Sequence, residues 1–127
     1  MTDRIDLHMH TSYSSDGDHA PDEIVRMAQA LGLRAIAITD HDTVDGSDAA
    51  RATATECGIE LIPGVEVTTF TAGRELHVLG YFVDAAAPLL RAQLARIREW
   101  DDARMREVTD RLRGLGIDVT YEEAQAL

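Results

Sequence analysis

Ile5-Asp6-Leu7-His8-Met9-His10 decides how this chain is read. Apolar Ile5, Leu7 and Met9 alternate with Asp6, His8 and His10, the period of two that gives a β-strand one packing face and one polar face. Spaced two apart on an extended chain, His8 and His10 project to the same side about 6–7 Å from each other, so both imidazoles can converge on one cation. The next stretches outward share this build. Residues 34–39 read as a buried strand that runs straight into Asp40-His41-Asp42, with Ile36 and Ile38 facing one way and Ala35, Ala37, Thr39 and His41 the other. Residues 59–70, broken by Pro63-Gly64, resume as Val65-Glu66-Val67-Thr68, with Glu66 opposite the valines. After a turn at Ala72-Gly73, residues 75–82 complete a hairpin in which Leu76 and Val78 are expected to pack, with His77 opposite.

Helical patterns separate these strands. Pro21 and Asp22-Glu23 open a helix with Ile24, Met27, Ala28 and Leu31 on its apolar side and Gly32 as its stop. A second covers residues 47–56 and ends at Gly58. Pro88 begins the longest, to about residue 112, with Leu90, Leu94, Ile97, Met105, Val108 and Leu112 along it. Thr120 and Glu123 have capping-box spacing, yet only four residues follow Glu123, so the chain is expected to be cut short. Strands alternating with helices predict an α/β layer fold with right-handed crossovers. No repeat or linker interrupts it, and the chain reads as one unit.

The 127 residues allow one modest core, and 45% apolar content is ordinary for a globular protein. No eighteen-residue apolar run predicts a membrane span, and the start lacks the order of a secretory signal. One cysteine, Cys57, cannot form an intrachain disulfide and is expected to be structural. The formal charge is −11 and all twelve basic residues are arginine, which argues against duplex nucleic acid and anionic membranes as partners. Bound cations would reverse that sign locally and admit a phosphate.

Ligand-type residues therefore gather at or near the C-terminal ends of four strands, with matching parity, where α/β sheets keep their chemistry. The Asp16-Gly17-Asp18 loop follows the first strand and can bend back over the same end. Imidazoles and carboxylates without thiolates suit Zn, Mn or Fe. Asp40 and Asp42 are candidates to orient a ligand imidazole or to cap the next helix. Tyr13, Ser14 and Ser15 can reach a phosphate oxygen or form a turn. His19 breaks the pattern and is expected at the surface. A Walker loop is excluded by the absence of lysine, and no Gly-x-Ser-x-Gly occurs.

Asp6-Leu7-His8-Met9-His10-Thr11 with Ser15-Asp16-Gly17, Ile38-Thr39-Asp40-His41-Asp42-Thr43, Pro63-Gly64-Val65-Glu66-Val67-Thr68 and His77-Val78-Leu79-Gly80-Tyr81-Phe82 together resemble the polymerase and histidinol phosphatase (PHP) domain family over about the first 82 residues. The wording is similar to a bacterial branch of nucleoside 3′,5′-bisphosphate phosphatases and short-RNA 5′ exonucleases. The resemblance implies the N-terminal half of a distorted (β/α)7 barrel, about four strands with covering helices. Residues 1–127 would then be a partial domain, with a motif-bearing core at 3–83, a long helix at about 88–113 and a truncated end. It implies up to three divalent metals, Mn2+ first, with Zn2+ or Fe2+ as alternatives. By position His8, His10 and Glu66 would hold one, Glu66 would bridge to a second shared with His77, and Asp16 and His41 would hold the third. The family adds later His or Asp ligands, whereas no histidine follows His77 here.

The expected function is hydrolysis of phosphate monoesters of nucleotides or short oligonucleotides through a metal-activated water. The alternatives are a histidinol-phosphate phosphatase and a non-catalytic module attached to a larger protein. The 127 residues alone are expected to be weakly active or inactive, with a missing C-terminal half or a neighbouring chain as partner, in the cytoplasm.

Overall fold

The computed structural model describes residues 4–126. Four strands form one sheet in chain order: β1 (Arg4–Met9), β2 (Leu33–Ile38), β3 (Glu60–Thr71) and β4 (Arg74–Tyr81). β1 runs parallel to β2 and β2 to β3, while β3 and β4 are an antiparallel hairpin. The fold is α/β, a curled four-stranded half-barrel with helices on its outside.

Two helices make the parallel crossovers. α1 (Pro21–Ala30) starts where Pro21 presets the first turn and the Glu23 carboxylate accepts the Ala20 N–H at 2.9 Å. α2 (Asp45–Cys57) stops at Gly58, whose φ of 68° few other residues adopt cheaply, while the Ile59 N–H returns to the Ala54 carbonyl at 2.9 Å. It starts two residues before its expected position because the Thr43 hydroxyl accepts the Asp45 N–H at 3.2 Å and Val44 is buried. Between helices and sheet lies the core: Ile24, Val25 and Ala28 from α1, Ile36 and Ile38 from β2, Ala50 and Ala54 from α2, and Ile59. Burying Ile36 and Ile38 completely contributes about 1.5–3 kcal/mol each. Met9, Leu33, Cys57 and Leu61 pack around this cluster. Ala35 and Ala37, opposite the isoleucines, are buried on the inner side.

The hairpin differs from expectation. Leu76 and Val78 are 48% and 53% exposed instead of packed. α1 and α2 lie against β2 and β3, and β4 is an edge of the sheet, so among the described residues no crossover helix packs over these two side chains.

The described residues divide into two compact units, one up to Leu94 and one from Ala95. α3 (Pro88–Gly114) begins in the first, where Arg91 donates to Asp45 at 2.6 Å and to Asp48 at 3.0 Å. The second unit holds the rest of α3 and α4 (Tyr121–Gln125). There the Tyr121 hydroxyl donates to Asp102 at 3.0 Å, and the Arg106 guanidinium lies 3.6 Å from the Tyr121 ring centroid. Thr120 and Glu123 form the expected capping box. Trp100 is about half exposed, with Arg104 over its ring at 5.7 Å.

Candidate metal centre

The rim at the ends of β1, β2 and β3 gathers all six candidate ligands that strand parity and the Asp16 loop single out. His8 lies in β1 and His10 just beyond it, His41 three residues past β2, Glu66 within β3 and His77 within β4. Asp16 comes from the loop after β1, folded back over the same rim.

Glu66 is the hub, and only 5% of it is exposed. Its Oε2 lies 2.7 Å from His8 Nε2, 3.1 Å from His10 Nε2 and 3.9 Å from His41 Nε2, and its Oε1 lies 3.0 Å from His77 Nδ1. Asp16 makes the second focus, with Oδ1 3.1 Å from His10 Nδ1 and Oδ2 3.4 Å from His41 Nε2. The four rings form a chain, with centroids 5.0, 4.8 and 4.6 Å apart from His8 through His10 and His41 to His77. Burial by itself would raise the Glu66 carboxyl, but the His8 hydrogen bond and the positive potential of His41, His8 and His10 hold it below the usual range. His77 is pushed up, chiefly by the Glu75 carboxylate 3.0 Å from its Nε2.

Three overlapping sets follow, each with ligand atoms within 4.8 Å of one another: His8–His10–Glu66, His10–Asp16–His41 and His41–Glu66–His77. The donor chemistry fits divalent cations. His10 and His77 each turn both ring nitrogens towards carboxylates, and a neutral imidazole carries only one N–H, so in that form one lone pair of each ring faces a carboxylate oxygen that repels it. A shared cation satisfies both sides. His10 Nδ1 agrees, since it is buried without a hydrogen-bond partner although Asp16 is near. The set has no thiolate, because Cys57 sits against the core. One neutral imidazole offers one lone pair, so His10 and His41 cannot serve two cations each. Six residues shared among as many as three ions leave coordination positions open to water or phosphate oxygens.

The remaining candidates lie around this rim. Asp40, 1% exposed, accepts the Thr11 N–H at 2.6 Å and the Thr11 hydroxyl at 2.9 Å, so it clamps the chain beyond His10 and does not cap α2. Burial raises its carboxyl, and the Thr11 bonds oppose that rise. Asp42 adopts a φ of 53°, accepts the Thr68 N–H at 2.9 Å, and donates its own N–H to the Glu66 carbonyl at 2.9 Å. It therefore fastens the His41 loop to β3. His19 is exposed, with Nδ1 3.7 Å from Glu23. Tyr13 is half exposed and Ser14 is buried. Sequence reasoning missed Glu75 and the fastening roles of Thr11 and Ser14. Glu75 was findable, because a residue two before His77 on a strand shares its face. The loop contacts had no comparable signal.

The fold and this rim define an α/β protein with a candidate multi-metal site at one end of a curled sheet. The model of the PHP domain matches residues 6–120, and the chain belongs to that family. It is 41% identical over its whole length to a 5'-3' exoribonuclease of Haemophilus influenzae, covering 46% of that protein. It is 38% identical to a 3',5'-nucleoside bisphosphate phosphatase of Chromobacterium violaceum, over 94% of this chain and 42% of that one. Among solved structures it is similar to an amidohydrolase from Chromobacterium violaceum with bound sulfate and no metal, with TM-score 0.84 and 36% identity, covering 94% of this chain and 42% of that one. The chain thus spans less than half the length of these relatives. Among the described residues no helix is long and apolar enough to cross a membrane.

Proposed function

We propose that this chain is the metal-gripping part of a phosphoesterase domain that hydrolyses phosphate monoesters of nucleotides or short oligonucleotides with Mn2+. The observation that carries the reading is the convergence of His8, His10, His41 and His77 on the buried Glu66 carboxylate. His8, His10 and Glu66 would hold one cation, Glu66 and His77 a second, and Asp16 and His41 a third. Bound there, divalent cations supply an acidified water and neutralise phosphoryl oxygens.

The chain's own residues set the terms of that chemistry. Glu66, kept ionised by its histidine neighbours, would offer one oxygen on the His8 and His10 side and the other on the His77 side. Glu75 fixes the His77 ring so that Nδ1 faces Glu66. No nucleophilic side chain is required, which agrees with a rim of imidazoles and carboxylates alone. With a formal charge of −11, the protein lacks a positive field of its own for a phosphate, so substrate binding and metal loading should be lost together. The substrate class is supported by the exoribonuclease and bisphosphate phosphatase to which the chain is similar.

The test is phosphate release from a nucleoside 3',5'-bisphosphate by metal-free protein reloaded with Mn2+. His8→Ala with His10→Ala should lower the rate at least ~100-fold, the scale of losing a ligand set. An unchanged rate refutes the proposal. Stoichiometric Mn2+ binding without turnover by a longer chain of the same protein would favour a non-catalytic module instead.

A further inference from the structure

We infer that Ser14 is a positioning residue that couples Asp16 to His41, setting cation affinity at the His10–Asp16–His41 set without itself being a ligand. The inference rests on reading that set as part of a metal centre. Ser14 is 7% exposed and joins two loops. Its Oγ accepts the His41 N–H at 2.6 Å, and its side chain adds a small opposition to the rise that burial imposes on the Asp40 carboxyl. Its N–H donates to the Thr11 carbonyl at 2.8 Å, and its carbonyl accepts the Gly17 N–H at 3.2 Å, which closes the turn that presents Asp16.

The consequence is selective. His10 precedes Thr11, whose N–H and hydroxyl both end on Asp40. Asp16 lies two residues past Ser14, and His41 hangs from the Ser14 Oγ. All three ligands of this set are therefore tied to one Thr11–Ser14–Asp40 network. Glu66 and His77 are held by the pairing of β3 with β4, and His8 lies in β1. His41 keeps a second hold through the backbone bonds between Glu66 and residues 40 and 42. Loss of the Ser14 hydroxyl should then loosen Asp16 relative to His41 while the Glu66 positions stay as they are. Losing a contact that orients a ligand costs roughly 10–100-fold in metal affinity.

The experiment titrates metal-free protein with Mn2+ and counts unbound ion by its electron paramagnetic resonance signal. Wild type, Ser14→Ala, Ser14→Thr, Asp16→Ala and the Ser14→Ala/Asp16→Ala double variant are compared. We expect Ser14→Ala to weaken one class of site at least tenfold and to leave the others within about twofold. Ser14→Thr, which keeps the hydroxyl, should restore that class. The double variant should lose less than the sum of the two single losses, since Ser14 and Asp16 act on the same set. Unchanged binding in Ser14→Ala, equal weakening of every class, or additive losses in the double variant would overturn the inference. Should Ser14→Ala lack a folded far-ultraviolet spectrum, Asp40→Asn reads the same network: weakening confined to the Asp16-dependent class supports the inference, and uniform or absent weakening overturns it. Wild type that binds no Mn2+ would instead sink the metal-centre reading, and this inference with it.

Discussion

Asp40 shows how a single residue carries the rim without belonging to any of the candidate ligand sets. Its oxygens take the Thr11 N–H and hydroxyl, and Gly46 approaches so closely that a Cβ there would fall on Asp40 Oδ2 and 2.8 Å from Thr11 Oγ1. Replacing Asp40 with Ala leaves a buried N–H unpaired, which costs about 1–3 kcal/mol, whereas Asn keeps one acceptor and should cost less. Gly46→Ala should destabilise by about 1–3 kcal/mol through overpacking, while Gly114→Ala, where a Cβ meets nothing within 4 Å, should be neutral or better. Urea unfolding of the three rim variants and the control checks this ordering, and a Gly46→Ala midpoint equal to that of Gly114→Ala would refute the clamp. Little of it was legible beforehand. Ligand types can be read from His8 or Glu66 because alternation assigns a face to every strand residue. Asp40 follows a strand, and its partner is fixed by how two loops meet, which no local pattern encodes.

Elements differ in the same way. β2 is buried on both faces, and its apolar run with ligand residues behind it announced as much. Its truncation Ile36→Ala should cost about 2–5 kcal/mol. β4 has the alternation of a half-buried strand, yet parity states only which residues share a face, not whether a helix arrives to cover it. The parallel crossovers carry α1 and α2 over β2 and β3, while a hairpin needs no crossover and leaves Leu76 and Val78 half exposed. Leu76→Thr and Val78→Thr should therefore shift stability by no more than about 0.5 kcal/mol. A calorimetric loss above about 2 kcal/mol in either would mean that their face is covered in solution. At the other end of the chain, the Thr120 backbone and hydroxyl bonds hold the Glu123 carboxyl low. A depressed carboxyl stabilises above its unfolded pKa and loses that contribution as pH falls through its folded one. Circular dichroism of α4 should thus weaken on acidification, and Thr120→Ala should flatten that dependence.

For the whole molecule, charge and metal act against each other. Protons on the histidines occupy the place that cations would take, so the two forms should respond to pH with opposite sign. His77 has a folded pKa raised by Glu75, so its contribution is complete below the ordinary histidine value of 6.5 and is lost as pH rises through the folded one. Metal-free protein should accordingly lose melting temperature from about pH 6.5 upward. Metal binding instead requires neutral imidazoles and releases their protons, so the stabilisation by Mn2+ should grow across the same window. At a hundredfold excess over its dissociation constant, one bound ion contributes about 2.7 kcal/mol, enough to reverse the slope. Melting curves between pH 6 and 8.5, with Mn2+ and with a chelator, decide the point. Two curves falling in parallel would mean that the imidazoles meet around Glu66 only as an ion-pair cluster, and that the acidic surface has no cations with which to receive a phosphate.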